Sequence, residues 1–214
     1  MCEPFFIFYV LYNRDSTRYA WTRGREPLET SKMVEKAREG DMLAFEALVK
    51  NYQSKVLGTA FLITKCSATA EEIAQDVFCR VYYKIHKLNS PQAFDQWLYT
   101  ITVNLSRNAL RKKKLYSVPL QEMIEHSPAE ESTPENEVLR IEYLKEVRKA
   151  ISDLDEKLRL PLILKYYSGL RDKEIAAVIK CPVGTVKSRL HSARAALSKI
   201  LGEKFLGDKG GENK

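Results

Sequence analysis

Residues 169–194 read GLRDKEIAAVIKCPVGTVKSRLHSAR, a pattern that predicts two short helices separated by a tight turn. Pro182 cannot continue the first helix because it has no backbone N–H, and we expect Thr185 to cap the second helix. The small side chain of Ala176 lets the two helices approach closely. The second helix has an apolar stripe at helical spacing, made of Val186, Leu190, Ala193 and Leu197. The stretch therefore predicts a helix-turn-helix.

The second helix of this motif has a basic outer face that also carries hydroxyl groups. At about 100° per residue, the side chains that lie away from the apolar stripe are those of Lys187, Ser188, His191 and Ser192. Residues 183–199 contain four Lys and Arg residues and no acid. An ordinary helical hairpin with a solvated basic face is the alternative. The turn, the small residue and the hydroxyl groups together favour a helix that enters the major groove of DNA.

Composition excludes several other classes of protein. The chain has 214 residues and a formal net charge of +7, which suits a polyanionic partner. Its cysteines (Cys2, Cys66, Cys79 and Cys181) have no metal-ligand spacing and are expected to be reduced thiols in a cytoplasmic protein. No apolar run approaches the ~20 residues of a membrane span, so we expect no membrane insertion. Strand-like alternation is almost absent, and the chain is predicted to be all-α.

Charge separates two adjacent blocks in the middle of the chain. Residues 104–114 carry five basic groups and no acid, whereas residues 115–137 carry six acids, three prolines and no Lys or Arg. The second block predicts a flexible acidic linker between two small helical domains. Two interpretations of this linker stay open: a disordered spacer, or a segment that mimics nucleic acid and threads a basic channel.

The linker divides the chain into five predicted segments. These are a leader at residues 1–32, a first domain at 33–114, the linker at 115–137, a second domain at 138–203 and a tail at 204–214. Apolar spacing in the first domain predicts four helices. They cover residues 37–52, with an interruption near Gly40, then 56–63 and 71–85, and the fourth begins near Phe94.

The fourth of these helices carries a polar stripe that includes Asn104, Arg107 and Arg111, with Trp97 and Tyr99 on the same helix. Aromatic side chains stack on unpaired bases, and Asn and Arg side chains reach base edges or phosphates. For the polar stripe the nucleic-acid interpretation is favoured, whereas for Trp97 a position in the core is favoured.

Four stretches, in this order, resemble bacterial sigma factors of the extracytoplasmic-function (ECF) group of the sigma-70 family. EGDMLAFEAL at residues 39–48 is similar to the opening of sigma domain 2, and AEEIAQDVF at 70–78 to the helix that grips the β′ coiled coil of RNA polymerase. WLYTITVNLSRN at residues 97–108 resembles the helix that reads the minus-ten element. The helix-turn-helix resembles sigma domain 4, which reads the minus-35 element.

The resemblance implies roles for individual residues. It places Glu72, Gln75, Asp76 and Phe78 in the polymerase-binding helix, and it assigns a pocket for a flipped minus-ten base to the loop His86–Gln92 with Asn104. The implied DNA-binding residues are Asn104, Arg107, Asn108 and Arg111 in the first domain, and Thr185, Lys187, Ser188, Arg189, His191, Ser192 and Arg194 in the second.

The resemblance implies a sigma factor that binds core RNA polymerase through the β′ coiled coil and the β flap. Such a subunit directs promoter-specific transcription initiation, here in a stress or envelope response, and is controlled by an anti-sigma factor. The alternative function is a stand-alone helix-turn-helix transcriptional regulator, which should dimerise. An enzyme is not expected, because the sequence has no P-loop, no carboxylate cluster and no pairing of nucleophile with base, and no cofactor is expected.

The chain departs from the family pattern in three places. Arg171 stands where a Ser or Thr usually caps the first helix of the motif, and we expect Asp172 to take over as the cap. Lys180 stands where Gly is common, and a non-Gly residue in the left-handed conformation costs about 1 kcal/mol. The leader precedes Met33, where such sigma factors usually begin, so we expect a start codon assigned too far upstream. An extension that docks on a partner is the alternative.

Overall fold

The computed structural model describes residues 27–115, 146–147 and 149–207, and within these ranges it is helical and contains no strand. The all-α prediction is therefore confirmed. The helices are α1 (Pro27–Arg38), α2 (Met42–Thr64), α3 (Ser67–Lys84), α4 (Phe94–Leu115), α5 (Glu156–Tyr166), α6 (Asp172–Ile179) and α7 (Val183–Gly207). Two 3₁₀ turns, Ile85–Lys87 and Pro91–Ala93, connect α3 to α4. None of the described helices is long and apolar enough to cross a membrane. The predicted linker lies almost entirely outside the described residues.

The first domain contains four helices, but their boundaries differ from the predicted ones. The interruption near Gly40 separates α1 from α2, because Gly40 has a φ of +96° and the carboxylate of Asp41 accepts a hydrogen bond from the N–H of Ala44 at 3.1 Å. The predicted break between residues 52 and 56 is wrong, since α2 continues through it. Residues 53–55 are polar but contain no Gly or Pro, so they interrupt the apolar pattern without ending the helix.

The core of the first domain forms where these four helices meet. The predicted stripe of α3 is buried there, as are apolar side chains of the other helices: Val34, Leu48, Val56, Ile73, Val77, Val81, Ile85, Phe94 and Leu98. Helix α1 begins at Pro27, so six residues of the predicted leader are helical. Its buried side chains, Val34 and Ala37, both follow Met33.

The second domain contains the helix-turn-helix, preceded by α5. Asp155 caps α5 by accepting a hydrogen bond from the N–H of Lys157 at 2.7 Å. The predicted caps of the motif are wrong. Asp172 instead pairs with Lys165 at 2.7 Å, and Glu174 reaches back to accept a hydrogen bond from the N–H of Arg171 at 2.7 Å. A carboxylate three residues into the helix is the second half of a capping box, so Arg171 needs no capping side chain of its own.

The turn of the motif and the first residues of α7 set the orientation of α7, the second helix of the helix-turn-helix. Lys180 is left-handed, with φ 55° and ψ 55°, as its position in the turn predicts. Helix α7 begins at Val183 directly after Pro182, so Thr185 lies inside the first turn and is not the cap. Proline is favourable just outside a helix start, because its missing N–H is not needed there.

The two domains pack directly against each other. Ile63 of α2 and Tyr99 and Val103 of α4 belong to the same buried cluster as side chains of α5 and α6, among them Ile163 and Ile175. Helix α4 is therefore buried along two sides, one in the first-domain core and one against the second domain. The sequence predicted only the first of these sides.

Candidate nucleic-acid and polymerase interfaces

Helix α7 presents the outer face that its sequence predicts. Val186, Leu190, Ala193 and Leu197 are all buried. The side chains on the opposite side are exposed, and they are Lys187, Ser188, His191, Ser192 and Arg194. The Ser188 hydroxyl donates a hydrogen bond to the carbonyl of Thr185 at 3.1 Å, within the same turn. This face offers cationic, imidazole and hydroxyl groups to a ligand without disturbing the core.

Two members of the expected DNA-binding set on α7 are placed differently. Thr185 and Arg189 are half-buried. Arg189 lines a cavity of about 340 Å³ together with Arg107 of α4 and with Asp155 and Glu156 at the start of α5. Arg189 therefore lies near the junction of the two domains in this structure.

The polar stripe of α4 is divided between solvent and the second domain. Asn104, Asn108 and Arg111 are exposed. Arg107 is half-buried, and its Nε lies 2.9 Å from a carboxylate oxygen of Glu156. No sequence signal points to Glu156 as its partner, because the two residues are 49 positions apart and share no motif.

The aromatic side chains near this stripe also occupy different environments. Trp97 is half-buried and packs on Phe94, with ring centroids 6.2 Å apart, which agrees with its predicted core position. Tyr99 is buried between the domains and offers no face for stacking. Tyr82 and Tyr83 are exposed, with 72% of Tyr83 accessible, and their rings meet edge-to-face at 5.4 Å.

The loop expected to form a base pocket contributes to a cavity, but Asn104 is not among the residues that line it. His86 lies in this cavity of about 300 Å³ with Arg38, Phe45, Tyr82 and Tyr83. Nothing in the sequence marks Arg38 as part of a pocket, and Phe45 is predicted only as an apolar residue of its helix. The only local signal was the pair of adjacent tyrosines at the end of α3.

Helix α3 presents the face expected to bind polymerase. Glu72, Gln75 and Asp76 are exposed, on the side opposite Ile73 and Val77. Phe78, the fourth residue of the expected set, is half-buried and packs against the first-domain core. The exposed side chains in the first half of α3 are therefore mainly acidic and amide, whereas Arg80 and Lys84 are exposed near its end.

A buried carboxyl group helps to hold α4 in position. The Tyr52 hydroxyl donates a 2.5 Å hydrogen bond to Asp95 in the first turn of α4. Burial raises the pKa of Asp95, the Tyr52 hydrogen bond opposes that rise, and the nearby Glu174 carboxylate adds to it. The group therefore ties α4, one of the predicted DNA-binding helices, to α2.

Among the described residues no group of His, Cys, Asp and Glu side chains could hold a metal ion. The surfaces built from α3, α4 and α7 are instead sets of separate polar side chains on helix faces. Such surfaces suit recognition of another macromolecule.

Comparison with known proteins supports this description. Residues 48–116 match Sigma-70 region 2, and residues 144–197 match Sigma-70 region 4. The chain is 34% identical over 181 residues to the RNA polymerase sigma-H factor of Pseudomonas aeruginosa, covering 81% of this chain and 94% of that protein. It is 36% identical over 182 residues to the ECF RNA polymerase sigma-E factor of Escherichia coli, covering 80% and 94% respectively.

Two solved structures share the fold. CnrH, solved in complex with the cytosolic domain of CnrY, has a TM-score of 0.62 at 22% identity, covering 81% of this chain and 97% of that chain. The sigma factor RpoE of Bartonella quintana, solved with the anti-sigma factor NepR, has a TM-score of 0.62 at 24% identity, covering 74% and 96%. With relatives above 30% identity that are matched over nearly their whole length, the chain belongs to the extracytoplasmic-function sigma factors.

Proposed function

We propose that the chain is a promoter-specific initiation subunit of RNA polymerase. It binds core polymerase, captures unpaired minus-ten bases with α4 and docks α7 in the minus-35 major groove. The observation that carries this proposal is the order of the two matched domains in one chain, region 2 followed by region 4. Polymerase supplies the catalysis, and the chain acts in the cytoplasm, where polymerase works.

The outer face of α7 supports the minus-35 assignment. The major groove is about 12 Å wide and accepts a helix, whose N-terminal residues then meet base edges. Lys187, Ser188 and His191 lie in the first turns of α7 and are exposed. An amine can donate to guanine, a hydroxyl can donate or accept, and a ring nitrogen can do either, so this face can discriminate among base pairs.

The exposed side chains of α4 support the minus-ten assignment. Asn104, Asn108 and Arg111 recur at spacings of four and three residues, which puts them on one side of the helix. An Asn side chain has both donor and acceptor groups, so it can match the edge of an unpaired base. The Arg guanidinium suits a phosphate.

The exposed face of α3 supports a polymerase contact distinct from the two DNA contacts. Glu72, Gln75 and Asp76 lie together on it, with Glu71 and Cys79 also exposed. An acidic and amide surface fits a basic and polar partner, as proposed for the β′ coiled coil, and repels DNA. Binding to polymerase and to DNA therefore use different faces. An anti-sigma factor, the kind of partner present in the RpoE structure, is proposed as the regulator.

Run-off transcription with purified core polymerase tests the proposal. Adding the chain should produce transcripts from a limited set of start sites, with shared sequence near minus ten and minus 35 upstream of each. Core polymerase alone is the control. Unchanged start sites, together with a dimer in gel filtration that binds duplex DNA without polymerase, would indicate a stand-alone regulator instead.

A further inference from the structure

We propose that Lys180, in the turn of the helix-turn-helix, binds a phosphate of the DNA backbone beside the minus-35 groove. The inference rests on the proposed function, because it adds a contact to the same DNA-binding motif. It is carried by three observations: the left-handed backbone of this lysine, the lack of a partner for its side chain among the described residues, and its position directly before α7.

The backbone conformation at Lys180 is unfavourable for a lysine. Its φ of 55° and ψ of 55° lie in the left-handed region, which favours glycine because a Cβ atom crowds the following carbonyl oxygen. The N–H of Lys180 donates to the carbonyl of Ala176, a hydrogen bond that glycine would make equally well. The backbone of the turn therefore does not require a lysine, and the explanation has to come from the side chain.

A second left-handed lysine shows what a structural explanation would be. Lys65 ends α2 with φ 60° and ψ 22°, and its Nζ donates a 2.6 Å hydrogen bond to the carbonyl of Ser152. Lys180 ends α6 in a similar conformation, but its side chain is exposed. Within the part of the chain that the structure describes, it has no hydrogen-bond or ion-pair partner. A contact inside the protein therefore explains Lys65 and does not explain Lys180.

The helix dipole does not explain Lys180 either. A cation near the C-terminus of a helix is stabilised by the dipole. That effect does not require the left-handed position, because a lysine in place of Ala177, which is exposed in the last turn of α6, would meet the same dipole without unfavourable backbone angles.

The acids of α6 do not neutralise the charge of Lys180. Asp172 pairs with Lys165 at 2.7 Å, and Glu174 pairs with Arg171. Each of these carboxylates already has a cation of its own. The ammonium group of Lys180 is therefore available to an anion outside the protein.

The position of Lys180 suits a phosphate better than a base. In a helix-turn-helix the second helix enters the major groove while the first helix crosses the DNA backbone, so the turn between them lies beside the phosphates at the edge of the groove. Lys187 and Ser188, on the face of α7 proposed to meet bases, follow this turn and are exposed. An ammonium group binds phosphate as a point charge and does not read sequence there. The contact therefore adds affinity without adding selectivity.

Lys180→Gly provides the test, because it removes the charge and suits the left-handed backbone. Holoenzyme made from core polymerase and the full chain is titrated with a promoter duplex, found by run-off transcription, at several salt concentrations. We expect the variant to bind about threefold to tenfold more weakly and the slope of log affinity against log salt to fall by about 0.9, since one phosphate contact is lost. Lys180→Arg keeps the charge and should bind like the parent protein. Lys65→Gly, the same change at the other left-handed lysine, is the control and should keep the slope.

The outcomes separate a DNA contact from a structural role. The melting temperature of Lys180→Gly should be at least that of the parent protein, because glycine is the preferred residue at a left-handed helix end. An unchanged salt slope overturns the inference. A lower melting temperature, together with weak DNA binding by Lys180→Arg, overturns it as well, because Lys180 would then be a structural residue of the turn. If run-off transcription with the parent chain yields no promoter, the proposed function is contradicted and the inference falls with it.

Discussion

Lys187 is exposed on α7, outside the buried stripe that contains Val186 and Leu190. Lys187→Ala should therefore weaken binding to minus-35 DNA by about 1–3 kcal/mol and alter promoter selectivity, because a contact to DNA is lost and no core contact is touched. Binding of holoenzyme to duplexes that differ in the minus-35 element measures this. Lys50→Ala, an equal loss of charge at an exposed site on α2, is the control. A lower melting temperature with unchanged selectivity would contradict the assignment of the face.

Asn104 and Arg111 share the exposed side of α4 but differ in chemistry. Asn104→Ala should reduce discrimination among minus-ten bases, because an amide that matches a base edge is lost. Arg111→Ala should weaken binding to all sequences about equally and flatten the salt dependence, because one phosphate contact is lost. Fluorescence titration with single-stranded oligonucleotides at several salt concentrations separates the two effects. A uniform loss of affinity for Asn104→Ala would place the base pocket elsewhere.

The ionisation of Asp95 is tied to folding, because its carboxyl group is buried. Burial raises its pKa above the ordinary 3.8, so between these two values the folded state holds a proton that the unfolded state has released. Stability therefore falls as pH rises through that window. In urea denaturation at a series of pH values, Asp95→Asn should remove this component, since the amide oxygen still accepts from Tyr52. Asp76→Asn, at an exposed site on α3, should keep it. Equal pH dependence in both variants would contradict the assignment.

At the scale of single elements, α3 separates its core side from its outer side cleanly. Gln75→Ala with Asp76→Ala removes hydrogen-bonding groups from the outer side and leaves Ile73 and Val77 packed. Affinity for core polymerase should fall while the helix content seen by circular dichroism stays the same. Pull-down with core polymerase measures the affinity, with Glu46→Ala, at an exposed site on α2, as the control. If the double variant binds as tightly as the parent protein, polymerase uses another face.

Helix α1 tests the boundary of the first domain. Its buried side chains, Val34 and Ala37, follow Met33, whereas residues 27–32 supply only its first turns. A chain that starts at Met33 should therefore fold and transcribe like the full chain. A chain that starts at Asp41 lacks both buried side chains and should be clearly less stable, because large apolar area is lost from the core. Thermal denaturation and run-off transcription of the two truncations decide this, and a strong defect in the first would give the leader a structural role.

At the scale of the whole molecule, the two domains share a buried apolar cluster, in which Ile63, Tyr99 and Val103 of the first domain pack with side chains of α5 and α6. A partner changes the arrangement of two domains only by its difference in affinity for the alternative arrangements.

The sequence by itself determined the elements whose pattern is local. Helical periodicity predicts the apolar stripe and outer face of α7 and the stripe of α3, because residues three and four positions apart lie on the same side of a helix. The order of the two domains follows from their motifs. The sequence pattern misplaced the start of α7 and the cap of α6, where neighbouring residues compete for the same hydrogen bond. The sequence pattern also predicted an interruption of α2 at residues 53–55 that does not exist, because a run of polar residues can indicate either a solvent-exposed side of a helix or the end of a helix.

Only the tertiary structure shows that α4 and α2 pack against the second domain as well as within the core of the first. Tyr99 and Val103 are buried by a domain that begins beyond the linker, and Arg107 finds its acid 49 residues away. Nothing within α2 explains a glycine at position 58. The explanation is the close approach of the Tyr167 side chain, which leaves no room for a Cβ atom there. Contacts of this kind depend on how the surfaces of two folded segments fit together. The residue spacing within one segment does not indicate which other segment will pack against it.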